Sequence, residues 1–164
     1  MDDLLPNSQA EHAPTTAKLP APLMVWTSFL LRQATLRVQA RIAEALVPLG
    51  LRSAHHAALA VLAAGPLSQV ALAAQLQTDR TTMVGLIDEL EHAGLARRER
   101  NPYDRRAHEV TLTRDGAALL AHAHAQVNAA DAAFFAPLAP DELEQLRTLL
   151  GRLIEAHDMT GETS

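Results

Sequence analysis

The sequence predicts a mainly α-helical protein interrupted by one short two-stranded β-ribbon. Three observations lead there. Apolar residues make up 48% of the chain but aromatics only 3%, so the core must be built from Ala, Leu and Val, and alanine is the strongest helix former. Several stretches repeat apolar residues at three- and four-residue spacing, the period of one helix face. Near the middle the period changes to two, with Val110 and Leu112 alternating with Thr111 and Thr113, as on a half-buried strand. The length of 164 residues fits one domain, or one domain with helical extensions.

Taken in order, residues 1–20 are rich in Pro, Ala, Thr and Asn without periodicity and read as a mobile tail. Residues 21–164 read as a single domain. A first helix is expected from Pro22 to about Val47, with Trp26, Phe29, Leu30, Ala34, Val38 and Ile42 recurring on one face and Arg32, Arg37 and Arg41 among the polar positions. Pro48 and Gly50 end it. Ser53 is expected to cap a second helix that Gly65-Pro66 stops. Ser68 is placed to cap a short third helix, VALAAQL. Thr78 is expected to cap a fourth, in which Met83, Leu86, Ile87 and Leu90 share one face at i, i+3, i+4 and i+7. Arg80, Thr81, Val84 and Gly85 are left on the opposite side, and Gly94 supplies the stop.

Two short strands follow, Leu95 to Arg100 and His108 to Thr113, joined by a loop from Asn101 to Ala107. Thr113 is placed to cap the next helix, which runs to about Phe134 before Pro137 and Pro140 break it. Pro140, Asp141 and Glu142 suit the first turn of a last helix, with Leu143, Leu146, Leu149, Leu150 and Leu153 as its apolar stripe.

The formal net charge is −5, which argues weakly against nucleic acid as a partner. The charge is unevenly placed, however. Between Leu95 and Asp115 stand six arginines, at 97, 98, 100, 105, 106 and 114, against four acids, and a local patch matters more for docking on phosphates than the total does. The absence of cysteine removes disulfides and thiol chemistry. The first residues do not form a signal peptide, and no apolar run reaches the ~18 residues of a membrane helix, so a cytoplasmic protein without a membrane role is expected. No G-x-S-x-G, phosphate-cradling glycine loop or H-E-x-x-H occurs. Neither a catalytic residue nor a cofactor is expected, and acids such as Asp88 and Glu89 read as solubilising charges on a helix surface.

A short helix, a turn, a second helix and an arginine-tipped ribbon together form a winged helix-turn-helix. A helix of this size fits the DNA major groove, and side chains near its exposed N-terminal end reach base edges. A ribbon loop beside it can insert Arg into the narrow, electronegative minor groove. The chain here resembles the MarR family of bacterial transcription regulators, over roughly Val25 to His157. The family's wing pattern D-x-R-x-x-x-[VI]-x-L-T stands as Asp104, Arg106, Val110, Leu112 and Thr113, with Gly116 following. "LIDELEHAGLARR" looks like its recognition-helix end and first wing strand, and "GPLSQVALAAQLQTDRTT" like its helix-turn-helix.

The resemblance implies a winged lobe over 53–113 and dimerisation helices over 22–47 and 114–158. The partners expected are a second copy of the chain and double-stranded DNA bearing a pseudo-palindromic operator, and the activity expected is repression. Ser68, Gln69, Arg80, Thr81, Thr82, Arg105 and Arg106 are the candidate DNA contacts, with Arg106 for the minor groove and Asp104 bracing the wing arginines. In the resembling family small aromatic or phenolic ligands bind between the dimerisation helices and the DNA-binding lobe, which makes Trp26, Phe29, His55 and His56 candidate pocket residues. The urate-responsive branch shares a Trp on the first helix and an Asp before the recognition helix, as in Trp26 and Asp79. Core or dimer packing is the competing reading for each pocket residue taken singly. The adjacent His55 and His56, and His122 and His124 two apart, are not spaced to share a helix face, so no metal site is expected. The alternative for the whole chain is a helical interaction module whose wing does not bind DNA.

Overall fold

The computed structural model describes residues 21–100 and 108–158. The order is α1 (Thr27–Leu46), α2 (Ser53–Leu62), α3 (Gln69–Gln75), α4 (Arg80–His92), β1 (Ala96–Arg100), β2 (His108–Leu112), α5 (Arg114–Phe135) and α6 (Pro140–Asp158). This is the mainly helical, winged helix-turn-helix architecture expected.

The first helix begins later than its pattern suggests. Ala21–Leu23 form a separate 3-10 turn, and Trp26, in extended conformation, is the residue from which α1 starts. A second 3-10 turn, Val47–Leu49, ends in Gly50, and α2 then leaves at 80° to α1. Ser53 does not cap α2. It is already helical, and the residue before the helix is Arg52, whose backbone N–H donates to His55 Nδ1 at 3.1 Å. The imidazole, three residues into the helix, thus reaches back to the N–H of the N-cap residue, the reciprocal half of a capping box.

Ser68 does cap α3, its Oγ accepting from the Ala71 N–H at 3.1 Å. Thr78 does not cap α4. Its hydroxyl turns back to the Leu76 carbonyl, and Asp79 caps instead, accepting from the N–H groups of Thr81 and Thr82 at 2.9 and 3.0 Å. Asp79 stands one residue nearer the helix, and its carboxylate reaches two donors at once while complementing the positive end of the helix dipole. Gly94, at φ +71°, ends α4 in the left-handed conformation that glycine adopts without a Cβ clash.

The core lies inside the lobe formed by α2, α3, α4 and the ribbon. Met83, Leu86, Ile87 and Leu90 are all buried, as their spacing requires, against Leu59, Leu62, Leu72 and Val110. The ribbon is antiparallel, pairing Ala96 with Leu112, Arg98 with Val110 and Arg100 with His108. Leu67 adds a one-residue bridge to Val110, exchanging both backbone hydrogen bonds with it, and so ties the segment before α3 to the wing.

Thr113 caps α5 as expected, its Oγ1 accepting from the Gly116 N–H at 2.9 Å and donating to the Gly94 carbonyl at 2.8 Å. A Cβ at Gly116 would collide with the Leu95 carbonyl and the Leu112 side chain, so glycine is required for α5 to leave the sheet so closely. α5 then packs along α1 and sends Leu120 and Ala123 into the core. Among the described residues of α6 none is buried, and no single helix among the described residues is long and apolar enough to cross a membrane.

Candidate nucleic-acid interface

The N-terminal half of α4 presents an outward face. Arg80, Thr81, Val84 and Gly85 are exposed while the helix's other side is sealed in the core. The Asp79 cap fixes where this face begins. Its carboxylate is held below the usual carboxylate range chiefly by the Thr82 hydroxyl, which donates to it at 2.6 Å, and by backbone N–H groups. The hydroxyl hydrogen of Thr82 is therefore used inside the cap, which leaves Thr82 a weaker candidate donor to DNA than Arg80 or Thr81. Ser68 and Gln69 stand at the start of α3, where Ser68 serves as cap and the amide nitrogen of Gln69 is buried with no partner.

Two acidic clamps lock α4 in place, and neither Asp88 nor Glu89 is merely a solubilising charge. Arg98 points from the ribbon's inner face toward α4. Its guanidinium pairs with Asp88 at 2.6 Å and with Glu91, which also accepts the Arg98 backbone N–H at 2.8 Å. Those partners hold the Arg98 charge more firmly than usual, although burial opposes it. On the other side, Glu89 reaches α2, pairing with Arg52 and accepting from His55 Nε2 at 2.7 Å.

His55 is fully buried. Burial pushes its pKa down, with the Arg52 charge acting the same way and the Glu89 hydrogen bond opposing. The neutral tautomer fits this site, because Nδ1 accepts a backbone N–H and Nε2 donates to Glu89. Glu89 itself is pushed up by burial, but the His55 hydrogen bond together with the Arg52 charge and hydrogen bond outweigh that and hold it ionised to lower pH. The spacing of Asp88 and Glu91 at i, i+3, one tight turn before an Arg-bearing strand, was the sequence signal for the first clamp. The second joins residues 34 and 37 apart and left no local signal.

The arginine patch is accordingly smaller than its sequence count. Arg98 is committed inward and Arg97 pairs with Glu99 at 2.8 Å, while Arg100 and Arg114 are exposed. Asp104, Arg105 and Arg106 lie outside the described residues.

The four candidate pocket residues do not converge. Trp26 is exposed at the start of α1 and Phe29 is half-buried one turn on. A 20-residue helix, about 30 Å long, separates them from the junction where α2 begins. His55 is fully buried in the core, its ring held by Arg52 and Glu89. His56 meets His124 of α5, ring edge to face at 5.2 Å, a pairing of α2 with α5 that spacing along the chain could not reveal. Its pKa is pushed down by burial and then by the neighbouring histidine. Among the described residues no three His, Asp or Glu side chains are grouped as metal ligands.

A short helix, a turn, an outward-facing second helix and a ribbon clamped beside it define a winged helix-turn-helix DNA-binding protein, a regulator of transcription. The sequence profile of the MarR family matches residues 49–107. A MarR-family transcriptional regulator from Rhodococcus sp. RHA1 is 30% identical, with 83% of this chain and 96% of that one superposed at a TM-score of 0.71. The repressor CouR, bound to a 23-mer DNA duplex, is 30% identical over 84% of this chain and 99% of its own, with a TM-score of 0.75. CouR from Rhodococcus jostii RHA1 bound to p-coumaroyl-CoA gives 32% identity, 82% and 95% coverage and a TM-score of 0.72. A Thauera aromatica protein assigned to transcriptional regulation of the hcr operon is 38% identical over 96 residues, 58% of each chain. The chain thus spans 58% of that relative's length. The chain belongs to the MarR family, whose members are regulators rather than enzymes.

Proposed function

We propose that the chain is a homodimeric, non-enzymatic repressor of the cytoplasm that holds two winged lobes on successive major grooves of a pseudo-palindromic operator and lets go when a small aromatic ligand binds. The observation that carries the reading is the exposed start of α4, rigidly set against the ribbon by the Arg98 clamp. Dimerisation is supported by the apolar faces left open on α1 and α6, and an operator of half-sites about one helical turn apart follows from a two-fold dimer. CouR, bound in one structure to DNA and in another to an aromatic acyl thioester, supports the coupling of DNA release to an aromatic ligand. No cofactor is part of the reading.

The wing tests it. Arg106→Ala should weaken operator binding by roughly 1–3 kcal/mol, the range of one specific contact, with folding and assembly unchanged. Wild-type affinity should also fall linearly on a log–log plot against salt as counterions are released. A flat salt dependence would favour an interaction module that does not bind DNA. Ligand control is tested by the fluorescence of Trp26, the single tryptophan, on titration with aromatic acids and their thioesters, with and without operator. Coupling must be reciprocal, so a compound that leaves DNA binding untouched is not the effector.

A further inference from the structure

Two neighbouring residues in the middle of α4 run against the helix that contains them. Gly85 is the weakest helix former short of proline, and Val84 is β-branched, with χ1 restricted in a helix. Neither position is repaid by packing among the described residues. Val84 is 38% exposed, and among the described residues a Cβ built on Gly85 meets nothing within 4 Å, so none of their backbone or side chains demands a glycine there. Where a local rule is broken without an internal reason, the reason is expected at a functional surface.

The surroundings say which surface. Val84 lies one turn after Arg80 and one turn before Asp88, and Gly85 one turn after Thr81, so the pair sits within the outward face of α4. Asp88, the acid on that row, is drawn off by Arg98 at 2.6 Å, which offsets a charge that would repel phosphate. The face therefore offers one arginine, one hydroxyl, one apolar branch and one gap. That combination suits the floor of a major groove, where the apolar group is the 5-methyl of thymine.

Resting on the DNA-binding reading above, we infer that the Val84–Gly85 edge is where α4 comes closest to DNA. Val84 packs on a thymine methyl and reads that base, and the missing side chain of Gly85 lets the helix seat deeply enough for it to do so. Val84 is thus a specificity-determining residue, and Gly85 a positioning residue that sets depth rather than making a contact of its own.

The experiment uses the full chain. Wild-type protein first selects its preferred duplex from a randomised pool. Affinity is then measured for wild type, Val84→Ala and Gly85→Ala on that duplex, and on versions in which each thymine is replaced singly by deoxyuridine, which removes only the methyl group. Thermal midpoints of the three proteins are measured alongside. Gly85→Ala should raise the midpoint by about 2–4 °C while weakening binding roughly tenfold or more, as overfilling a close contact does. For wild type, one thymine per half-site should be sensitive, losing about threefold to tenfold on demethylation. Val84→Ala should show that same loss on the thymine duplex and no further loss on the deoxyuridine one. The inference is overturned if Gly85→Ala binds as tightly as wild type, or if Val84→Ala responds to demethylation as wild type does. If wild type enriches no duplex at all, the DNA-binding reading falls as well, so the two failures are told apart by the first step.

Discussion

The winged lobe and the outer helices divide the molecule's apolar residues very differently. In the lobe, Leu59, Leu72, Met83, Ile87, Leu90 and Val110 are all at or below 1% exposure. α1 buries only Leu46, at the end that joins the lobe, and none of the described residues of α6 is buried. Trp26, Leu31, Leu149, Leu153 and Ile154 all remain open to water. The same kind of amphipathic pattern thus has two outcomes. In the lobe each stripe finds its partner within the same chain, on α2, α3 and the ribbon, whereas apolar residues of α1 and α6 stay open to water. The lobe is closed within one chain, and the outer helices are the ones that the dimer proposed above would complete.

The largest effect should come from breaking the unfinished half. In the two-fold dimer proposed above, replacing Leu149 and Leu153 together by Glu would remove four leucines from the interface. At about 1.5–3 kcal/mol for each side chain buried, that is roughly 6 kcal/mol or more, on the order of 10⁴ in the dissociation constant. Sedimentation should show a monomer, and operator affinity should collapse because the two lobes are no longer held together. Far-ultraviolet circular dichroism should keep most of its helical signal, since the lobe does not depend on α6. A double variant that still sediments as a dimer would remove α6 from the interface and weaken the comparison.

The same contrast explains what was legible in the sequence. The buried face of α4 and the two strands show in the period of their apolar residues, and the Gly94 stop and the Ser68 and Thr113 caps rest on neighbours within a few residues, so local pattern specifies them. The cap of α4 moved from Thr78 to Asp79 because two good capping chemistries stood side by side and geometry chose between them, and the N-cap of α2 lies one residue before Ser53, at Arg52, whose N–H the His55 ring accepts. What the pattern could not supply were contacts across the fold. The Glu89–His55–Arg52 clamp, the His56–His124 pair and the Leu67–Val110 bridge each join residues far apart in sequence. Of the two readings open for His55, the structure gives core packing, and Asp88, although exposed, also pairs with Arg98 of the wing. The outward position of Arg80, Thr81, Val84 and Gly85, by contrast, follows directly from the helical period.

A smaller effect should appear at the joint between the two regions. α5 starts where the Thr113 hydroxyl, the Gly94 carbonyl and the Leu95 carbonyl crowd together, and a Cβ at Gly116 has no room there. Gly116→Ala should therefore destabilise the fold by about 1–3 kcal/mol, the range for overpacking a filled site, although alanine is intrinsically the better helix former. Gly85→Ala is the internal control, being the same substitution in a helix where the space is open. Urea midpoints of the two variants should move in opposite directions. A Gly116→Ala protein as stable as wild type would mean that α5 is not seated against the sheet as tightly as its geometry requires.

The smallest effect near neutrality, and the one most specific to the lobe, concerns its buried histidine. His55 has its pKa pushed down from the usual histidine value, first by burial. Its neutral form is therefore favoured in the folded state, and the unfolded chain binds the proton more readily. The contribution is fully present above about pH 6.5, the ordinary value, and is lost as acid titrates the unfolded state and then the folded one. Stability should accordingly be flat from pH 7 to 8 and decline below about 6.5, by at most about 1.4 kcal/mol per pH unit for one proton. The groups facing His55 are Arg52 and Glu89, and Glu89 stays ionised across this window because its own pKa is lowered. His56, also pushed down, titrates in the same direction, so wild type alone cannot isolate the effect. His55→Asn keeps an acceptor near the Nδ1 position for the Arg52 N–H but carries no proton to titrate. It should be less stable than wild type at pH 7.5, and the gap should narrow steadily toward pH 5.5. If the two urea-midpoint curves run parallel over that range, the neutral, N–H-accepting imidazole is not what joins α2 to α4.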